Sequence, residues 1–226
     1  MYKFLQGFFI AATVAFSTPT LAASDAQLWT SAGVRVRPTK RVKLMFEQQL
    51  RLDQNLSRVD KINTDVGVSY KATKWLAVGG GYRFSMRTGE TNALGPTQRV
   101  HVQGQASGEL GPVGLSYRLR FQDSFAWKKG ALNLKHTLRN RVGLKVDTNT
   151  MVTPGFSTEL FTRLAERQEE LLKKLRMTLG VAFKPDKKHV VDVFYRIHLP
   201  LADPENPLEH IVGLGYQYRL PRKKKK

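Results

Sequence analysis

Val42-Lys43-Leu44-Met45-Phe46-Glu47-Gln48-Gln49-Leu50-Arg51-Leu52-Asp53 alternates between two kinds of residue. Val42, Leu44, Phe46, Leu50 and Leu52 share one parity, broken only by Gln48. Lys43, Glu47, Gln49, Arg51 and Asp53 share the other, with Met45 its one apolar member. Successive strand side chains point to opposite faces, so this segment is a ribbon with one greasy and one charged face. The rhythm returns in 27–37, 62–71, 75–87, 98–110, 113–123, 132–146, 151–162, 174–184, 189–198 and 209–220, making eleven ribbons with 41–53. Such segments exceed the usual five or six residues of soluble strands and suit a tilted crossing of a hydrocarbon layer.

The connections sort by length. Short ones fall at 38–40, 72–74, 111–112, 147–150 and 185–188; long ones fall at 54–61, 88–97, 124–131, 163–173 and 199–208. Alternation of short turns and long loops is the habit of outer-membrane barrels. Within 163–173, Glu169/Lys173 and Glu170/Lys174 are favourable four-residue pairs, and Leu164, Leu171, Leu172 and Leu175 lie near one helical face. A short helix and a strand extension with a polar tip both fit these residues. Eleven ribbons conflict with the even strand counts of single-chain bacterial barrels, because an odd count sets the first and last strands parallel. The expectation is therefore an all-β, antiparallel up-and-down transmembrane barrel of ten to twelve strands. Either segment 27–37 lies outside the wall, or one further strand is hidden or one ribbon is a split strand; the tight turn after Arg37 argues that the first segment pairs with the second.

Composition alone would pass for a soluble protein, with 41% hydrophobic residues and a mean hydropathy of −0.35. No run of about eighteen apolar residues follows residue 25, which excludes ordinary membrane-spanning helices but not strands, whose alternate residues face lipid. At the N-terminus, Lys3 is the only charge before Asp25, 8–16 is apolar, and Thr20-Leu21-Ala22-Ala23 offers small residues for cleavage. This predicts a signal peptide over 1–23, a barrel over 24–220 and a basic periplasmic tail over 221–226. The full chain carries a net charge of +19. There is no cysteine, so an exported chain of this kind is held by a closed hydrogen-bonded wall and not by disulfides.

The last ribbon, Ile211-Val212-Gly213-Leu214-Gly215-Tyr216-Gln217-Tyr218-Arg219-Leu220, resembles the C-terminal signal read by the outer-membrane barrel assembly machinery. Gly213, Tyr216 and Tyr218 would carry that signal, the glycine as a pliable point and the tyrosines as outward girdle residues. Ile211 stands where a polar residue is usual, and the chain runs on through Pro221 and Arg222 into Lys223–Lys226. Leu28-Trp29, Gln48–Arg51, Trp75–Arg83, Thr153-Pro154 with Glu159-Leu160-Phe161, and Arg176–Gly180 together resemble domain of unknown function 2490, a family of bacterial outer-membrane-like proteins. The resemblance implies a Gram-negative outer-membrane barrel. It brings no catalytic residues with it.

Chemistry is sparse. His101, His136, His189, His198 and His210 show no metal-ligand spacing, and no cofactor motif occurs. Ser107, His101 and Glu109 share a parity but are spread too far along one strand, at about 3.4 Å per residue, for a triad. Gly79-Gly80-Gly81 lacks the Lys-Ser/Thr of a phosphate loop and reads as curvature or room for a neighbouring ring. The polar parity is rich in bases: Arg35, Arg37, Lys43, Arg51, Arg83, Arg87, Arg99, Arg118, Arg120, Arg139, Arg141, Lys145, Arg176 and Arg196, against Glu47, Asp53, Asp65, Glu109, Glu159 and Asp192. If that face is the lumen, Arg51, Arg83, Arg99, Arg118, Arg120, Arg139, Arg141, Arg176 and Arg196 line an electropositive interior. Arg–carboxylate plugging and an anion path are both consistent with it. The expected partners are outer-membrane lipids, the assembly machinery and small anions, with no nucleic acid. The expected role is a non-enzymatic barrel, structural or a narrow anion-tolerant pore. The alternatives are an outer-membrane lipid-modifying enzyme and a secreted soluble barrel holding an apolar ligand.

Overall fold

The computed structural model describes residues 24–89, 94–128, 131–164, 172–202 and 206–220. The expected signal peptide 1–23, the tail 221–226 and the centre of the 163–173 connection, for which a short helix is one of two expectations, lie outside them. Among the described residues eleven strands form one closed wall: β1 (Asp25–Val36), β2 (Val42–Asp53), β3 (Arg58–Lys71), β4 (Leu76–Thr88), β5 (Leu94–Leu110), β6 (Val113–Lys128), β7 (Ala131–Val146), β8 (Val152–Leu164), β9 (Leu172–Phe183), β10 (His189–Pro200) and β11 (Glu209–Leu220). Consecutive strands pair antiparallel. β1 closes the circle by pairing parallel to β11, from Asp25↔Glu209 to Val36↔Leu220. The first ribbon is thus neither outside the wall nor a split strand, and the expected even count gives way to an odd one.

Two expectations change with this wall. Loops and turns do not sort strictly by length, because β5, β6 and β7 run for 17, 16 and 16 residues and take up much of what reads as loop. Polar residues near a strand end satisfy their backbone groups by pairing, as Lys128 does with Ala131. The secreted barrel with an apolar lumen is also excluded. Phe46, Val102, Leu179 and Val212 point outward, at 47%, 61%, 61% and 53% exposure. Among the described residues the buried apolar side chains are only Trp29, Phe161, Val190 and Ile211, whereas Asn63, Arg139, Glu159 and His198 are among the buried polar ones. The protein is greasy outside and polar inside.

Polar residues on the greasy face meet across strands. The Thr64 hydroxyl donates to Gln48 at 2.8 Å and the Tyr117 hydroxyl to Asn140 at 2.7 Å. Pairing of this kind lowers the cost of a polar group facing hydrocarbon. Bulges at Arg51/Leu52 opposite β3 and at Phe161/Thr162 opposite β9 insert Asp60 and Lys173 into the ladder and bring both to the interior.

Candidate functional site: the basic lumen

The inward parity of the ribbons converges on a cavity of about 1120 Å³ along the barrel. Among the described residues, twenty Lys and Arg side chains line it against seven carboxylates. All nine arginines named from parity are among them. Glu109 and Arg37 are not, while Asp60, Glu209 and Arg219 join.

Glu159 on β8 organises the middle. Arg139 grips it with two bonds, Nε to Oε1 at 3.1 Å and Nη2 to Oε2 at 2.8 Å. Arg118 adds a contact at 2.6 Å and Arg176 one at 3.2 Å. The carboxylate residue is 3% exposed, so this is a desolvated knot of one anion and three cations. Arg176 also donates from Nε to His198 Nε2 at 2.7 Å. That nitrogen must therefore be unprotonated, which puts the imidazole proton on Nδ1, where it is donated to Glu209.

Aromatic faces prop the guanidinium groups. Arg51 lies 3.6 Å and Arg196 5.0 Å from the Trp29 ring centroid, and Arg139 and Arg176 lie 4.4 Å and 4.6 Å from that of Phe161. Trp29 is itself oriented by donating Nε1–H to Gln27 at 3.1 Å. Trp29, Phe161 and Phe194 were not singled out from sequence as lumen residues. Their signal is an aromatic on the polar parity of a ribbon.

The other arginines divide into two groups. Arg83 pairs with Asp65 at 2.7 Å. Arg51, Arg99, Arg120, Arg141 and Arg196 form no ion pair among the described residues and bond neutral oxygens instead, those of Gln49, Ser124, Gln103, Ser157 and Thr178. Like charges also stand opposite each other on adjacent strands, in the rungs Arg83↔Arg99, Arg118↔Arg141 and Arg120↔Arg139. Two unit charges about 6 Å apart repel by roughly 3 kcal/mol at an effective dielectric near 20. Asp65 beside Arg83 and Glu159 beside Arg118 and Arg139 offset part of this, and the facing Arg99, Arg141 and Arg120 keep their charge without a carboxylate.

The remaining candidates separate. Gly81 leaves room for His101, since a Cβ there would lie 2.6 Å from its Cε1. Ser107, His101 and Glu109 do not bond one another among the described residues. His136 faces outward and holds Asp123 at 2.6 Å beside Phe121, with no Ser or Thr hydroxyl bonded to its imidazole among the described residues. Tyr216 and Tyr218 face outward around His189. Gly213 faces inward, and a Cβ there would lie 2.0 Å from Phe194 Cζ. The glycine therefore serves the seating of a lumen ring, which the expected pliable point did not anticipate. Among the described residues no group of three or more His, Cys, Asp or Glu is placed to hold a metal ion.

A closed wall with an apolar exterior and a charged interior is the fold of a transmembrane β-barrel. A solved structure described as a NanC porin in a rhombohedral crystal form matches with a TM-score of 0.52 at 8% identity, over 82% of this chain and 94% of that one. No curated protein matches the chain. The model of the family of proteins of unknown function DUF2490 matches residues 26–201, and the chain belongs to that family.

Proposed function

We propose that this protein is a bacterial outer-membrane barrel without catalytic activity, exported by residues 1–23, whose lumen admits small anions. The observation that carries the reading is the set of five lumen arginines that bond neutral oxygens and form no ion pair among the described residues, three of which, Arg99, Arg120 and Arg141, stand opposite another arginine on the ladder. Crowded cations in a partly desolvated space raise the local concentration of anions. Tyr216 and Tyr218, outward near the end of the last strand, support recognition by the assembly machinery, and the apolar exterior supports contact with outer-membrane lipid.

Reversal potentials of the refolded protein in planar bilayers under a potassium chloride gradient test the reading. Anion preference is expected. Cation preference overturns it, and absence of conductance leaves a plugged structural barrel, with the Glu159 knot as the plug. The lipid-modifying alternative draws on one observation, the outward His136–Asp123 pair. A base and an acid without a bonded nucleophile do not make a hydrolase, and the pair serves here to satisfy two polar groups on the greasy face. Phospholipid hydrolysis lost in His136→Asn would reverse that judgement.

A further inference from the structure

Arg35 on β1 and Arg219 on β11 are direct partners in the parallel β1–β11 pairing that closes the wall, and both line the interior. Their like charges repel across the seam, and Arg37 and Lys43 add to the same positive field. The carboxylates facing them are Asp192 of β10 and Glu47 of β2, and neither forms an ion pair with them among the described residues. Each of the nine lumen arginines described above bonds at least one side-chain oxygen. Arg35 and Arg219 bond none among the described residues, and the Nε of each is buried without a partner. Two guanidinium groups, register-opposed at the closing seam, thus have no side-chain acceptor among the described residues. The terminal Nη1/Nη2 edge of a guanidinium presents paired N–H groups at the spacing of oxyanion oxygens.

We infer that Arg35 and Arg219 form an oxyanion site that bridges the first and last strands, with Lys43 as a third cation. The ligand is a phosphate, sulfate or carboxylate seated between the two guanidinium edges, and binding requires the seam to be closed. Occupancy therefore stabilises the barrel by mass action. The inference does not require the barrel to conduct, so its test reads unfolding and not current.

The refolded full-length barrel in uncharged detergent is unfolded in urea at constant ionic strength while sodium phosphate replaces sodium chloride. The expected result is an unfolding midpoint that rises with phosphate in the parent protein. In R35Q/R219Q the midpoint should no longer respond, and in chloride it should be no lower than the parent's, since the repulsion is gone. Lys187→Gln, an exposed charge removal in the β9–β10 turn, should keep the full response. Arg35→Lys retains the charge and guards against a double variant that fails to fold; losing the bidentate fork should raise the half-saturating phosphate roughly tenfold. Short-chain phosphatidylglycerol forms a parallel arm: a response to it, abolished by R35Q/R219Q and absent with inorganic phosphate, assigns the oxyanion to a lipid headgroup. A midpoint indifferent to both ligands, or a response that survives in R35Q/R219Q or is unchanged in R35K, overturns the site.

Discussion

Two regions of the lumen solve the burial of arginine differently. Around Glu159, three guanidinium groups converge on one carboxylate that is 3% exposed. Elsewhere Arg51, Arg99, Arg120, Arg141 and Arg196 rest on amide and hydroxyl oxygens and keep their charge unneutralised. The first arrangement is expensive to break, because removing one partner strands the others in a desolvated place. The second leaves positive charge available to whatever enters. One region ties β6, β7 and β9 to a single carboxylate of β8, and the other leaves its cations without an ion pair among the described residues.

Glu159→Gln tests that contrast most severely. It leaves Arg118, Arg139 and Arg176 without their carboxylate and should cost about 3–5 kcal/mol in urea unfolding of the refolded barrel, read by tryptophan fluorescence. A loss below about 1 kcal/mol would show that the two regions do not differ. Gly213→Ala comes next. A methyl group forced against Phe194 should cost about 1–3 kcal/mol, and Phe194→Leu in the same chain should recover most of it. No recovery would separate Gly213 from the lumen ring.

Arg120→Gln removes a charge from the second region and should change stability by less than about 1 kcal/mol, since only the bonds to Gln103 are lost. Its signature is a lower anion-to-cation permeability ratio. An unchanged ratio would deny the second region its role. Asp186→Asn, outside both regions, sets the floor. Asp186 in the β9–β10 turn accepts backbone N–H bonds from His189 at 2.7 Å and Lys188 at 2.6 Å, which hold its carboxyl below the ordinary value. Its contribution is present above the usual carboxylate range and fades as pH falls through the lowered value. The parent and the variant should therefore differ slightly in unfolding midpoint at neutral pH and converge under strong acid.

Much of this was legible in the chain because strand parity is strict. Val42 to Asp53 reads the same as a string and as β2, outward Leu44 and Phe46 against inward Lys43 and Arg51. Parity fails where a bulge inserts a residue, and so Asp60 was missed as a lumen acid. It also misleads where a ring sits on the polar side. Trp29 and Phe161 enter the sequence reading only through the family resemblance, yet they are the surfaces on which Arg51, Arg139 and Arg176 lie.

Sequence by itself determined the eleven ribbons, the apolar and basic parities and the absence of disulfides, because these depend on neighbours two residues apart or on composition. Tertiary structure alone decided which parity faces inward, how an odd number of strands closes through a parallel β1–β11 seam, and which arginines find a carboxylate. Arg118 lies 41 positions from Glu159 and meets it only because β6, β7 and β8 are laid side by side in one register. Coulomb attraction and repulsion act through space, and no local pattern encodes distances that the closed wall creates.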